Sequence, residues 1–288
     1  MNIINELQNN VNLLLVISAV LGLIAGSFLN VVIHRLPIML QNDWQKECAT
    51  FLKQTIPDTT IYNLFYPRSH CPNCHAPISW QYNIPLFGYL ILRGKCNNCQ
   101  TRIPWRYLIV EALSALTAVL ITYIYGLSIT TVGLYVLSLA LIAITFIDFK
   151  HKLIPDSLSL PLLWFGLLLN TQNIFITPNA AIIGAIVGYV IPWSIAQIFK
   201  SIRKIDGMGY GDFKLLAVFG AWFGWQLVLL TLTFAAFLGS VVGIIMILCK
   251  KHKFQQELPF GPYIALVGWL NIFYDASIWH WYSKILGM

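Results

Sequence analysis

Four cysteines stand as two closely spaced pairs, Cys71-Pro-Asn-Cys74 and Cys96-Asn-Asn-Cys99, with 21 residues between them. Two thiolates separated by two residues can bind one metal ion from a tight turn, and a second such pair completes a tetrahedral site. A closed set of four thiolates favours zinc. We therefore predict one structural zinc ion on these four cysteines, with no open coordination position for catalysis. Reduced or redox-active thiols are the alternative interpretation.

Three of the eleven acidic residues, Glu111, Asp148 and Asp212, lie inside or at the edge of apolar segments, where a carboxylate is costly and is often functional. Two carboxylates from different helices can hydrolyse a peptide bond, because one takes a proton from water while the other donates a proton to the carbonyl group. Glycines at 209 and 211, just before Asp212, would let a substrate backbone approach closely. We therefore predict that Asp148 and Asp212 are the catalytic pair, supported by Gly209 and Gly211. Helix capping is the alternative role for each aspartate.

The elements that must position these residues are membrane helices. Of the 288 residues, 58% are hydrophobic and only 10% are charged, and the mean hydropathy is +0.70. A soluble domain has about 25% charged residues, so a cytosolic protein is excluded, and the high hydrophobicity also excludes a disordered chain. An all-α polytopic membrane protein with about eight transmembrane helices remains. The predicted spans are Val11–Val32, Tyr107–Tyr125, Thr130–Ile147, Ser157–Leu169, Ala180–Phe199, Phe213–Phe223, Gln226–Leu248 and Phe260–Trp281.

The distribution of positive charge predicts the orientation of these spans. Seventeen of the 18 Lys and Arg residues fall on one side if the N-terminus is extracytoplasmic and eight helices cross, and positively charged loops stay in the cytosol. The loop over 33–106, which carries the four cysteines, is then cytosolic. Met1–Asn10 contains no Lys or Arg, so we interpret the first span as a permanent anchor and not as a cleaved signal. The net charge of +7 follows from this topology, and no nucleic-acid partner is expected.

We divide the chain into three predicted domains. Residues 1–32 form the N-terminal transmembrane anchor, residues 33–106 form the cytosolic loop domain with the metal site, and residues 107–288 form a membrane domain of seven helices. A loop of this size has little apolar mass for a core of its own, so a metal ion would hold its fold.

Several motifs together resemble one family, the bacterial prepilin leader peptidases, which are bifunctional membrane enzymes of the GxGD aspartyl protease type. The resemblance covers nearly the whole chain. It is carried by Gly26-Ser-Phe-Leu-Asn-Val-Val-Ile-His-Arg-Leu-Pro37, Ser69-His-Cys-Pro-Asn-Cys74, Asn83-Ile-Pro85, Leu92-Arg-Gly-Lys-Cys96, Arg106-Tyr-Leu-Ile-Val-Glu111, Asp148 with Leu153-Ile-Pro-Asp156, and Gly209-Tyr-Gly-Asp-Phe-Lys-Leu215.

The resemblance implies an inner-membrane enzyme that cuts the short basic leader from type IV prepilins and type II secretion pseudopilins. Cleavage follows a glycine at the cytosolic face, and the new N-terminus is then methylated with S-adenosylmethionine. Asp148 and Asp212 would be the aspartyl pair, and the four cysteines would bind zinc. The methyl-transfer activity would belong to the N-terminal segment and the cytosolic loop, with Gly94 and Glu111 as candidate donor-binding residues.

Three other interpretations remain open at this point. A GxGD peptidase without methyltransferase activity would lack the long cysteine-containing loop. A transporter or proton path would place acidic residues near the membrane midplane in paired halves. A scaffold with a zinc knuckle would leave the two aspartates unexplained. Glu111 itself could pair with Arg106, extend to the interface or line the substrate site.

Overall fold

A computed structural model describes residues 10–54, 62–205, 207–249, 258–271 and 273. Within these residues the regular structure is helical, which confirms the all-α fold, and the chain divides into two compact units, Met1–Ala143 and Ile144–Met288. The helices are α1 (Val11–Phe51), a 3-10 turn (Trp80–Asn83), α2 (Phe87–Ile91), α3 (Arg106–Tyr125), α4 (Ile129–His151), α5 (Asp156–Asn170), α6 (Pro178–Arg203), α7 (Tyr210–Phe223), α8 (Trp225–Leu248) and α9 (Gly261–Asn271).

Every predicted span overlaps one of these helices. In the part of the chain that the structure describes, α1, α3, α4, α6 and α8 are long and apolar enough to cross a membrane. Helices α5, α7 and α9 have 15, 14 and 11 residues, which is shorter than the roughly 20 residues that a crossing requires. The C-terminal part of the predicted span Phe260–Trp281 lies outside the described residues. The number of membrane crossings therefore stays a prediction.

Helix α1 is much longer than its predicted apolar span. The prediction ended this element at Val32, whereas the helix continues through Pro37 to Phe51. The predicted boundary marks the end of the apolar span and not the end of the helix, because hydropathy falls where the helix leaves its apolar part. Residues beyond Pro37, such as Gln45 and Glu47, are polar but form helices readily.

Helices α1 and α3 form a close antiparallel pair in the first unit. A methyl group added at Gly26 would lie 2.8 Å from the Cα atom of Glu111, so only glycine permits this approach. Two hydrogen bonds cross the same contact. The Ser114 hydroxyl donates to the Gly22 carbonyl at 2.7 Å, and the Asn30 amide donates to the Tyr107 carbonyl at 3.0 Å.

Helix α7 is the centre of the second unit. Most of its side chains are buried, including Phe213, Phe219 and Trp222, which are at most 1% exposed. The Trp222 indole N–H donates to the Leu162 carbonyl on α5 at 2.9 Å. The helix ends at Gly224, whose φ of 89° is open to glycine and lets the chain turn into α8. The break between the predicted spans Phe213–Phe223 and Gln226–Leu248 is therefore confirmed.

Candidate functional site

Asp148 lies in the last turn of α4, where an apolar run ends. Its side chain is buried although it is a carboxylic acid, with 5% of its surface exposed. The backbone N–H of Gly261, the first residue of α9, donates to Asp148 Oδ2 at 3.1 Å. The charge of Lys152 also attracts this carboxylate. Asp148 is thus held at the junction of α4 and α9.

Asp212 lies in the first turn of α7 and is 8% exposed. Its Oδ2 atom accepts a hydrogen bond of 3.2 Å from the backbone N–H of Gly209, the N-cap residue. The alternative role of helix capping is therefore partly present. Asp212 is at position N3, and its carboxylate accepts a hydrogen bond from the backbone N–H of the N-cap residue, as in a capping box. The hydrogen bond occupies one oxygen and leaves the other available.

The structure brings Asp148 and Asp212 together. The two carboxyl groups are close enough to interact electrostatically. The side chain of Ile154 lies beside Gly211, which precedes Asp212, and beside Gly261, which contacts Asp148. A methyl group added at Gly211 would meet its Cβ at 2.7 Å, and one added at Gly261 would meet its Cδ1 at 3.0 Å. Among the described residues, each carboxylate is held through Oδ2 by a glycine N–H and no hydrogen bond engages either Oδ1 atom. The Oδ1 atom of each carboxylate thus remains for a water molecule or a substrate carbonyl group.

Sequence reasoning missed Gly261. We assigned no role to the last predicted span, although Gly261 contacts Asp148 across 113 positions of sequence. The only local signal is a glycine between Phe260 and Pro262 at a helix start. A methyl group added at Gly261 would lie 2.7 Å from Asp148 Oδ2, so no other residue fits without moving the carboxylate.

Sequence reasoning also missed an ion pair between Lys214 and Asp156. The Lys214 ammonium group contacts both carboxylate oxygens of Asp156, at 2.6 and 2.7 Å. Asp156 is the first residue of α5, and the N-cap residue Pro155 makes no side-chain capping bond. The pair joins the segment after Asp148 to α7, the helix that carries Asp212 in its first turn.

The four cysteines converge in the first unit, as predicted. The sulfur atoms of Cys71, Cys74, Cys96 and Cys99 all lie within 4.8 Å of one another. The Cys71–Cys99 and Cys74–Cys96 sulfur distances are 3.7 and 4.0 Å. Tetrahedral zinc with Zn–S bonds of about 2.3 Å requires sulfur separations of roughly 3.8 Å. The cluster could therefore hold a metal ion, and its spacing fits zinc.

The two cysteine pairs form matching turns. The His75 N–H donates to the Cys71 carbonyl, the Gln100 N–H donates to the Cys96 carbonyl, and His75 and Gln100 have φ values of 55° and 58°. Each turn also contributes an asparagine amide that donates to a sulfur of the other turn, from Asn73 to Cys99 at 3.7 Å and from Asn98 to Cys74 at 3.6 Å. The turns therefore complete each other.

Local hydrogen bonds favour the thiolate form of the second pair. Hydrogen bonds with the side chain and the backbone of Thr101 lower the pKa of the Cys99 thiol to about 5. The backbone N–H groups of Cys99 and Asn98 lower the pKa of Cys96. Thiolates are the metal-binding form of cysteine. The imidazole rings of His70 and His75 contact each other. Among the described residues, the candidate metal ligands are the four cysteines, without either histidine.

Arg35, on α1, binds the segment that precedes the cysteine cluster. Its guanidinium group donates to the carbonyl groups of Asn63 and Pro67, at 2.8 and 2.6 Å, and lies over the Tyr62 ring. The side chain is only 8% exposed. A basic residue that the charge pattern counted as topological is therefore also a structural anchor.

The two candidate donor-binding residues lie in different surroundings. Gly94 has a φ of 68° between α2 and the second cysteine pair, and a methyl group there would meet the Tyr89 hydroxyl at 2.8 Å. Glu111 is 8% exposed and accepts a hydrogen bond of 2.8 Å from the Leu86 N–H. Arg106 lies over the Tyr107 ring instead of pairing with Glu111. The structure therefore does not bring Gly94 and Glu111 into one described contact.

Comparisons with known proteins match both units. Residues 20–125 match the bacterial peptidase A24 N-terminal domain, and this range contains the four cysteines and Glu111. Residues 135–244 match the type IV leader peptidase family, and this range contains both aspartates. No solved structure matches the chain significantly.

Named relatives align over most of the chain. The prepilin leader peptidase/N-methyltransferase of Aeromonas hydrophila is 45% identical over 263 residues, covering 91% of each chain. The proteins of the same name from Aeromonas salmonicida and Pseudomonas aeruginosa are 43% and 39% identical, and cover 92% and 93% of this chain and 92% of each relative. The chain therefore belongs to the type IV leader peptidase family.

Proposed function

We propose that this protein is a membrane peptidase and N-methyltransferase that processes type IV prepilins and related pseudopilins. It removes a short basic leader after a glycine and then methylates the new N-terminal residue. The observation that carries the peptidase assignment is the pair of buried, adjacent carboxylates of Asp148 and Asp212. The names of the relatives support both activities.

The geometry suits hydrolysis by two aspartates. Because Gly261 and Gly209 each occupy one Oδ2 atom, the orientation of both carboxylates is fixed before a substrate binds. The ionised carboxylate accepts a proton from the attacking water, and the protonated one donates to the carbonyl oxygen of the scissile bond. Gly209 and Gly211 leave room for the extended substrate backbone beside Asp212.

The cysteine cluster serves a structural role in this proposal. Four thiolates at tetrahedral spacing would hold one zinc ion and leave it no open position, so the ion stabilises the loop and takes no part in proton transfer. The match of residues 20–125 to the N-terminal domain of bacterial enzymes favours the bifunctional enzyme over a peptidase without methyl transfer. S-adenosylmethionine would supply the methyl group, and Gly94 and Glu111 stay candidates for this half of the reaction.

We place the protein in the bacterial inner membrane, with its N-terminus outside and the cysteine-containing loop in the cytosol. Positive charge lies almost entirely on the cytosolic side of this topology. The apolar N-terminal helix of a prepilin can lie in the bilayer, which would leave its cleavage site at the cytosolic interface. Cysteine-accessibility labelling of residues 148 and 212 from outside the cell would contradict this orientation.

The decisive experiment measures cleavage and methyl transfer separately in purified membranes. Asp148→Asn and Asp212→Asn should each abolish cleavage of a prepilin and still methylate a precleaved pilin. Asp43→Asn is the matched control, because Asp43 is an exposed aspartate on α1 and should retain both activities. Cleavage at the wild-type rate by either active-site variant would refute the two-aspartate mechanism.

A further inference from the structure

Glu111 is a buried carboxylate without a cationic partner. It is 8% exposed, and its hydrogen bonds in the described part of the chain come from the Leu86 backbone N–H and the Ser27 side chain. No Lys, Arg or His side chain of the described residues forms an ion pair with it. A buried charge without a counter-charge is costly, so a cation arriving from outside the chain would complete the site.

A second acceptor lies in the same contact between α1 and α3. Asn30 is 3% exposed, and its Oδ1 atom has no hydrogen-bond partner. The amide nitrogen of Asn30 donates to the Tyr107 carbonyl, one turn before Glu111 on α3. Ser27 lies one turn before Asn30 on α1, on the same helix face. Three acceptors, from Ser27, Asn30 and Glu111, therefore lie within one turn of this helix contact.

This set of acceptors matches a primary ammonium group. Such a group is a cation with three N–H donors. The new N-terminus of the cleaved substrate carries one, and so does the methionyl part of the methyl donor. The contact lies between two helices that are apolar enough to span a membrane. An amine at the start of an apolar helix could reach it from the bilayer.

We propose that Ser27, Asn30 and Glu111 bind the α-ammonium group of the cleaved substrate. The inference rests on the proposed methyl-transfer function. An amine must lose one proton before it can be methylated, and the Glu111 carboxylate, which contacts the group directly, accepts that proton from the ammonium nitrogen. Glu111 is then a catalytic residue of the methyl-transfer reaction and separate from the aspartyl pair.

The test compares binding of two peptides to the purified full-length protein. One peptide carries the mature pilin N-terminus with a free α-amine, and the other is identical but N-acetylated. Wild-type protein should bind the free amine at least about tenfold more tightly, as expected for a buried charge pair. Glu111→Gln should bind both peptides within about twofold, while its affinity for S-adenosylmethionine stays at the wild-type value.

Two features of the design separate this role from a structural one. The glutamine oxygen can still accept the Leu86 N–H, so Glu111→Gln removes the charge and keeps the loop contact. Ser114→Ala removes a hydrogen bond between α1 and α3 without touching the acceptor set, and should keep the tenfold discrimination. Asn30→Ala provides a second variant and should reduce the discrimination by at least about threefold.

The possible outcomes decide between the inference and its premise. Discrimination that persists in Glu111→Gln would overturn the inference, and so would a variant that loses only affinity for S-adenosylmethionine. Wild-type protein that cleaves prepilin but never methylates precleaved pilin would instead refute the methyl-transfer half of the proposed function.

Discussion

Replacing Gly261 by alanine places a methyl group against a proposed catalytic carboxylate. The added Cβ would lie 2.7 Å from Asp148 Oδ2, whereas ordinary van der Waals contact begins at 3.4 Å. The carboxylate or the α9 backbone must therefore move by about 0.7 Å. A 1 Å misplacement of reacting groups can cost about 100-fold in rate, so we expect a 10- to 100-fold lower kcat for prepilin cleavage, or about 1.4–2.7 kcal/mol of activation free energy.

The assay measures cleavage of a prepilin with purified enzyme and follows methylation of precleaved pilin as the check on folding. We expect the KM for prepilin to stay within about threefold of the wild-type value, because the change affects orientation and not substrate contact. Gly239→Ala is the matched control, since a methyl group there meets its nearest side chain at the ordinary distance of 3.4 Å.

A double variant identifies which contact matters. Ile154→Val removes the Cδ1 atom that the new methyl group would meet at 3.0 Å, but it leaves the contact with Asp148 unchanged. Gly261→Ala with Ile154→Val should therefore remain as slow as Gly261→Ala alone. If the double variant recovers full activity, or if Gly261→Ala cleaves at the wild-type rate, the positioning argument is wrong.

Three further predictions test other parts of the molecule. Lys214→Met should lower the rate of prepilin cleavage by about two- to fivefold, because it removes a partly exposed ion pair between two active-site segments. Exchanging the two charges, with Lys214→Asp and Asp156→Lys together, should recover part of the lost rate. Cys96→Ser should reduce bound zinc, measured by elemental analysis, from one equivalent to well below half, and a cleavage rate that falls in step with the missing metal would contradict a purely structural ion. Asn170→Leu should lower the free energy of unfolding by about 3 kcal/mol, read as a lower Tm in detergent, since this fully buried amide donates to the Ala221 and Trp222 carbonyl groups.

Sequence reasoning predicted the parts of the site whose residues form a recognisable local motif. The spacing of the four cysteines led to a cluster that the structure contains. The Gly-Tyr-Gly-Asp212 motif and Asp148 led to a carboxylate pair, and the structure brings the two residues together. Their catalytic role stays a prediction, as does the division at residues 32 and 106.

The missed parts depend on contacts between distant positions. Gly261 and Asp148 are 113 residues apart, and Lys214 and Asp156 are 58 residues apart. A local sequence motif therefore cannot show that the two partners of either contact meet. The continuation of α1 to Phe51 was missed for a different reason. Hydropathy detects membrane exposure, whereas helix formation also follows from backbone propensity in polar sequence.

The exchange of asparagine donors between the two cysteine turns has a consequence for how the cluster assembles. Asn73 hydrogen-bonds to a sulfur of the second turn, and Asn98 to a sulfur of the first. A turn alone offers a metal ion two thiolates, one of which lacks its amide donor. Neither turn alone should therefore hold the ion firmly, and a variant that lacks the cysteines of one turn should lose the ion entirely. A cell short of zinc would then hold two populations of this protein, one complete and one empty.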